Sequence, residues 1–242
     1  MLVLGIETSA MHGGVALVGA DGLVAEYTLH IEATYSERLL PAIDRVLADA
    51  RLTIADVGGI AVAMGPGSFT GLRIGLSTAK GLAAASGTPL VGVPTLRALA
   101  WGLPFCSHPI CPILDARKGE VYGAVFRWDG GELVQIMEDV ALPPHLLAER
   151  ITGPTVLLGE GVGTYGEFLA EALGRRAIFP PAPLCGPRPA AVAALGRHRL
   201  LRGERDDPVA LVPRYLRPSE AELKRAAAGL SAGPGAAPPV AS

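Results

Sequence analysis

The chain is poor in cysteine, lysine and aromatic residues, and it holds no long apolar run. Its three cysteines, Cys106, Cys111 and Cys185, are scattered through 242 residues with no Cys-x-x-Cys spacing. That pattern excludes a disulfide framework and argues against a structural zinc site. Lysine occurs only at Lys80, Lys118 and Lys224, and the formal net charge is -2. Such a balance leaves no electrostatic footprint for strong nucleic-acid binding by this chain alone. No apolar stretch approaches the roughly 20 residues that a membrane-spanning helix needs. The opening MLVLGIETS has no charged leader region and reads directly as a strand, so no signal peptide is expected and a cytoplasmic location is. There is no HExxH, and no two of His12, His30, His108, His145 and His198 lie four apart on a helical pattern.

What the chain does have is apolar residues, 50% of the total, enough for a sizeable core. Leu2–Ile6 and Gly14–Val18 are short apolar runs, Asp21-Gly22 marks a hairpin turn, and Leu23–His30 alternates with period two, so the chain opens as a three-stranded meander. Thr34 and Glu37 form a capping box, after which Leu39, Ile43, Val46, Leu47 and Ala50 recur at helical spacing. Pro41 falls inside that pattern and predicts a bend. Strand Ile60–Met64, helix Thr70–Ser86 and strand Pro89–Val93 follow. Then the theme restarts: strands over 110–114, 120–127 and 133–140, a helix over 144–150, a strand over 155–158, a helix over 163–173, a short strand over 177–179 and a helix over 189–201. Two rounds of the same order predict a duplicated α/β architecture. The expected units are 1–103 and 104–208, with 209–225 docking back on the first and an Ala/Gly/Pro-rich tail, 226–242, disordered.

One stretch, AVAMGPGSFTGLRIGLSTAKGLAAASG (61–87), has the order strand, glycine-rich turn, helix. Gly65 and Gly67 allow backbone to approach a ligand closely, and Ser68 or Thr70 can cap a helix whose first amides bind an anion. It is not a P-loop, since no Gly-Lys-Ser/Thr follows, nor a dinucleotide fingerprint, since Thr70 stands where the third glycine belongs. The alternative is a helix start built from small residues for packing. Gly71, Gly75 and Ala79 make a smooth stripe along the helix. Glycine costs a helix about 1 kcal/mol relative to alanine, so close approach of another element is expected to offset it. Elsewhere, Asp115 ends a strand and is either a Mg²⁺ or water ligand or part of a solvated hairpin tip with Arg117, Lys118 and Glu120. Gly196–Arg205 is either an RNA-touching patch or a solvated helix face. Glu7, with Thr8 and Ser9, either lines a cleft or caps nearby amides.

The motifs GPGSFTGLRIG (65–75) with AKGLA (79–83), YSERLLPAID (35–44), DARKGEVYGAVF (115–126), PRYLRP (213–218) and LGIETSAMHGGVAL (4–17) occur in order along nearly the whole chain. Together they resemble the TsaB (YeaZ) family. The resemblance implies an actin-like, sugar-kinase-like fold with two related subdomains. It implies a partner subunit that is not itself catalytic, working with TsaD and the ATPase TsaE to place threonylcarbamoyl on adenosine 37 of tRNAs. The chain then meets tRNA through the complex, and ATP or ADP is expected there rather than tightly on this chain. TsaD proteins carry a metal-binding His-x-x-x-His on the helix after the meander, whereas the helix here has Tyr35 and Leu39 at those places. ATPase-type members follow the second subdomain's first Asp with glycines, but Asp115 is followed by Ala116, Arg117 and Lys118, which are expected to crowd the cleft. Glu7, Thr8, Ser9, Gly65, Gly67, Ser68 and Asp115 are thus read as a vestigial nucleotide cleft. The resemblance also implies that the first two helices form the surface for TsaD, or for a homodimer when the chain is alone. Its residues would be Leu39, Leu40, Ile43, Gly71, Leu72, Arg73, Gly75, Leu76 and Ala79. The rival readings are a weak ATPase or kinase of the same superfamily and a glycoprotease-like peptidase.

Overall fold

The structure is a computed structural model that describes residues 1–30 and 35–217; of Leu29 and His30 only the backbone is described. Strands β1 (Val3–Glu7), β2 (His12–Gly19), β3 (Gly22–His30), β4 (Gly59–Gly65) and β5 (Leu90–Pro94) form one sheet in the order β3-β2-β1-β4-β5. β1 runs antiparallel to β2 and parallel to β4, with Val3 opposite Val18 and Gly59. Strands β6 (Ile110–Arg117), β7 (Glu120–Asp129), β8 (Glu132–Leu142), β9 (Thr155–Leu158) and β10 (Ala177–Ile178) repeat the arrangement as β10-β9-β6-β7-β8. The pairing senses also repeat: β6 is antiparallel to β7 and parallel to β9. Both halves follow strand-strand-strand-helix-strand-helix-strand, the duplicated topology of the actin-like, sugar-kinase-like fold.

Period-two alternation decides which helix lies on which face. Leu4, Ile6, Ile60 and Val62 point to one side of the first sheet, where α1 (Tyr35–Asp49) and α2 (Phe69–Ser86) bring Leu39, Ile43, Val46 and Leu76. The opposite side carries smaller residues, Ala61 and Ala63 beside Val3, Val91 and Val93. That shallow surface accepts α6 (Pro189–Leu201), itself rich in alanine, through Ala191, Val192 and Ala193. The second sheet is covered on one side by α4 (Pro144–Arg150) and α5 (Gly161–Leu173), through Leu147 and Leu169. Its other side takes Leu96, Leu99 and Ala100 of α3 (Thr95–Trp101) against Ile110, Leu114 and Phe126. Each half therefore lends a helix to the other.

This exchange crosses the expected boundaries at 104 and 208. α3 is absent from the sequence-derived element order, yet it closes the second core; α6 follows the second sheet in sequence but packs on the first. Residues beyond α6 also bind the first half earlier than expected. The Asp206 carboxylate accepts from Gly92 N at 2.7 Å, and Asp206 N donates to Leu90 O at 2.9 Å. Leu211 sits in the first core, and Arg214 N donates to Met64 O at 2.7 Å. Of the basic residues of 196–205, Arg199 serves this crossing: it pairs with Asp206 at 3.0 Å and with Glu204 at 2.8 Å. Pro41 lies on the exposed side of a helix that runs unbroken through it. Thr34 of the expected capping box, Pro218 and the tail fall outside the described residues. No helix among the described residues is long and apolar enough to cross a membrane.

Phe126 is among the largest fully buried side chains. Phe126→Ala is expected to lower stability by about 3–5 kcal/mol, read by denaturant unfolding, because the cavity cannot collapse between a sheet and α3.

Candidate functional site

β1 carries the polar sequence Glu7-Thr8-Ser9 out of the first sheet, and all three residues are fully buried. Glu7 Oε1 accepts from Ser9 N at 2.6 Å. Its second oxygen, Thr8 Oγ1 and Ser9 Oγ find no partner at hydrogen-bonding geometry among the described residues. Burial pushes the Glu7 carboxyl up to about 7; the bonds from Ser9 pull the other way, and the nearby Glu160 charge adds to the rise. Glu160, at the start of α5, reaches this region from the second half, where Met11 N donates to it at 3.3 Å.

The glycine-rich turn after β4 closes over the same segment. Gly65-Pro66 is a cis peptide, and Gly67 has φ +155. Ser68 N donates to Ser9 O at 2.6 Å, and Ser68 Oγ caps α2 by accepting from Gly71 N at 3.3 Å. A Cβ at Gly67 would overlap Ser9 O and stand 2.8 Å from Ser9 Cβ. One at Gly71 would overlap Thr8 O, and one at Gly75 would overlap Thr8 Oγ1. The small residues of the turn and of α2 admit the chain's own strand end.

Glu7, Thr8, Ser9, Gly67 and Ser68 lie together, Gly65 lies against Arg214 and Leu72, and Asp115 has other partners. Its Oδ1 accepts from Arg117 N at 2.8 Å and from Tyr165 OH at 3.4 Å, and its Oδ2 pairs with Arg117 at 3.3 Å. Arg117 and Lys118 take positive φ (64 and 54) in the turn between β6 and β7, and both are exposed. Asp115 therefore holds a turn together. Tyr35 and Leu39, at the places of the His pair, are also engaged: Tyr35 OH donates to Ala10 O at 2.8 Å, and Leu39 belongs to the first core.

The expected partner surface is only partly on the surface. Leu39, Ile43, Leu72, Leu76 and Ala79 are core residues, and Gly71 and Gly75 are buried against Thr8. The glycine stripe meets the chain itself: Gly71 stands against the Thr8 carbonyl and Gly75 against the Thr8 side chain. Of the nine residues, Leu40, 53% exposed, and Arg73 face outward. Arg73 lies 3.9 Å from the centroid of the Phe69 ring and donates through Nε to Tyr215 OH at 3.0 Å. Tyr215 stacks on Phe69 with centroids 4.8 Å apart. This aromatic–cation group was not found from the sequence, because Tyr215 lies 142 positions from Arg73 and only the fold joins them. The segment continues to the second half, where Arg214 pairs with Asp139 at 2.9 Å and Arg217 with Glu120 at 3.0 Å.

Comparison with known proteins gives the chain a family. The family model described as TsaD, tRNA N6-adenosine threonylcarbamoyltransferase, matches residues 29–224. The tRNA threonylcarbamoyladenosine biosynthesis protein TsaB of Bacillus subtilis is 35% identical over 227 residues, covering 93% of this chain and 97% of that protein. The Escherichia coli protein of the same name is 33% identical over 172 residues, covering 66% of this chain and 72% of its own length. The solved structure of YeaZ from Pseudomonas aeruginosa superposes with a TM-score of 0.71 at 27% identity, over 89% of this chain and 99% of that one. A second Pseudomonas aeruginosa structure, described as similar to peptidase YEAZ, gives 0.74 with the same coverage. The likeness covers nearly the whole chain, and the chain belongs to the TsaB (YeaZ) family, within the wider TsaD-like group.

Proposed function

We propose that this chain is a non-catalytic partner subunit in the formation of threonylcarbamoyladenosine in tRNA. It acts beside a TsaD-type transferase and a TsaE-type ATPase, in the cytoplasm, and meets tRNA, ATP and ADP through that complex. The observation that carries the non-catalytic part is the filled turn: Ser9 and Thr8 occupy the room that Gly67, Gly71 and Gly75 leave. The pathway is supported by the TsaB relatives, whose names place them in the biosynthesis of this nucleoside. A weak ATPase or kinase would need a phosphate where Thr8 and Ser9 lie, and would need Asp115 released from Arg117 and Tyr165.

The outer face of α1 and α2 is the partner surface in this reading, with Leu40 and the Phe69–Arg73–Tyr215 group as its anchors. Arginine and tyrosine are the residue types that dominate such interfaces when buried by a partner, and an exposed leucine adds apolar area beside them. Leu40→Glu and Arg73→Glu should each weaken co-purification with a TsaD partner at least tenfold, and Leu40→Glu should turn any homodimer into monomer in size-exclusion chromatography. Both positions are exposed, so thermal unfolding should move little. Full retention of the partner by both variants would remove this face from the proposal.

A further inference from the structure

The two halves are joined on both sides of the first sheet, and the two junctions differ in kind. On the side of Ala61 and Ala63, α3 meets α6: Ala98 lies with Ala191 and Val192, while Leu96, Leu99 and Ala100 enter the second core. That junction is apolar and continuous with both cores. On the opposite side, the side of Leu4 and Val62, the segment that follows α6 makes the connection. Leu211 anchors it in the first core. Arg214 N donates to Met64 O at 2.7 Å. Gly65, with φ +113, leaves room for the Arg214 carbonyl, from whose oxygen a Cβ would stand only 2.6 Å. From this fixed backbone two arginines reach the second half. Arg214 Nη1 stands 2.9 Å from Asp139 Oδ2 on β8, and Arg217 Nη1 stands 3.0 Å from Glu120 Oε2 at the start of β7. Between them, Tyr215 stacks on Phe69 and accepts from Arg73.

The two ion pairs do not weigh the same. The Asp139 side chain is 2% exposed, and Gln135 Nε2 donates to its other oxygen at 2.8 Å. Arg214 brings the countercharge, and removing it strands a buried carboxylate. Glu120 and Arg217 are both partly in water, where a pair adds little. On the first half the segment is held by its backbone and by Leu211, so parting the halves breaks the ion pairs and leaves the segment in place. We propose that residues 211–217 are a latch: fixed on the first half, they clasp the second through Arg214 and Asp139 and restrain rotation about the α3–α6 junction. A restraint on the far side of an apolar pivot is where a hinge motion is stopped most directly. The Met11–Glu160 bond, which also crosses between the halves, closes with the latch. The latch does not depend on the function proposed above.

The test is hydrogen exchange of the full chain read by mass spectrometry, with small-angle X-ray scattering for the separation of the halves. Arg214→Ala should speed exchange at the Met11 amide about tenfold and raise the radius of gyration, while the amides of Leu211 and residue 214 keep their protection. Arg217→Ala should change the Met11 amide by less than about threefold, as a solvated pair requires. Arg214→Ala combined with Asp139→Asn removes the clasp without stranding a charge. That double variant should regain stability in denaturant unfolding yet keep the fast Met11 exchange and the larger radius, and it carries the test if Arg214→Ala alone fails to fold. Wild-type exchange and radius in the double variant would overturn the proposal, because the effect of Arg214→Ala would then be the stranded charge and not an opened latch. An effect of Arg217→Ala equal to that of Arg214→Ala would overturn it too, since the clasp would not lie at Asp139.

Discussion

Gly75→Ala is expected to destabilise the fold by about 1–3 kcal/mol, the range for overpacking a filled site, although alanine is the better helix former. A Cβ there would overlap Thr8 Oγ1, while Thr8 Cβ stands 3.3 Å away. The obstacle at this position is therefore a side-chain atom. In a Thr8→Ala background the overlap disappears, and Gly75→Ala should become neutral or stabilising by up to about 1 kcal/mol. Gly71→Ala should behave differently, because its Cβ would meet the Thr8 carbonyl, which no substitution removes. It should stay destabilising in both backgrounds. Denaturant unfolding of the three single and two double variants separates these outcomes. If Gly75→Ala instead leaves stability intact and abolishes partner binding, the stripe faces a partner and the close approach to Thr8 is wrong.

Glu7→Gln should stabilise the chain in a pH-dependent way. The folded carboxyl titrates near 7 against an ordinary value of 4.5, because burial opposes its charge. Below about pH 4.5 the group is protonated in both folded and unfolded states, and its burial carries no charge penalty. As pH rises toward 7 the unfolded chain ionises while the folded one resists, so stability falls; above 7 the full penalty is present, about 3 kcal/mol. Glutamine keeps an oxygen for Ser9 N and carries no charge. Its advantage should be largest near pH 8, shrink through pH 7 and vanish near pH 4.5. A gain that does not vary with pH would mean that the Glu7 carboxyl titrates alike in the folded and unfolded chain, which contradicts its raised value.

The element order was legible because buried strands are short apolar runs and the same order occurs twice. β1, β4 and β9 lie within a residue or two of their expected ends. α3 escaped because its seven residues follow Pro94 and offer too few turns to show a period. α6 was legible as a helix, yet its partner sheet was not: a period reports which face is apolar, not which sheet that face meets. The glycine stripe carries the same lesson at the site. Gly71 and Gly75 announce that something approaches closely, and the sequence leaves open whether it is another subunit or Thr8.

The most direct test of the account is reconstitution of threonylcarbamoyl transfer to tRNA with purified TsaD and TsaE partners, threonylcarbamoyl-adenylate and ATP, read by mass spectrometry of the tRNA nucleosides. The account predicts modified adenosine only when this chain is present, loss of the product with Leu40→Glu, and full product with Asp115→Ala. Equal modification without the chain, or product that disappears with Asp115→Ala while the partners still bind, would contradict it.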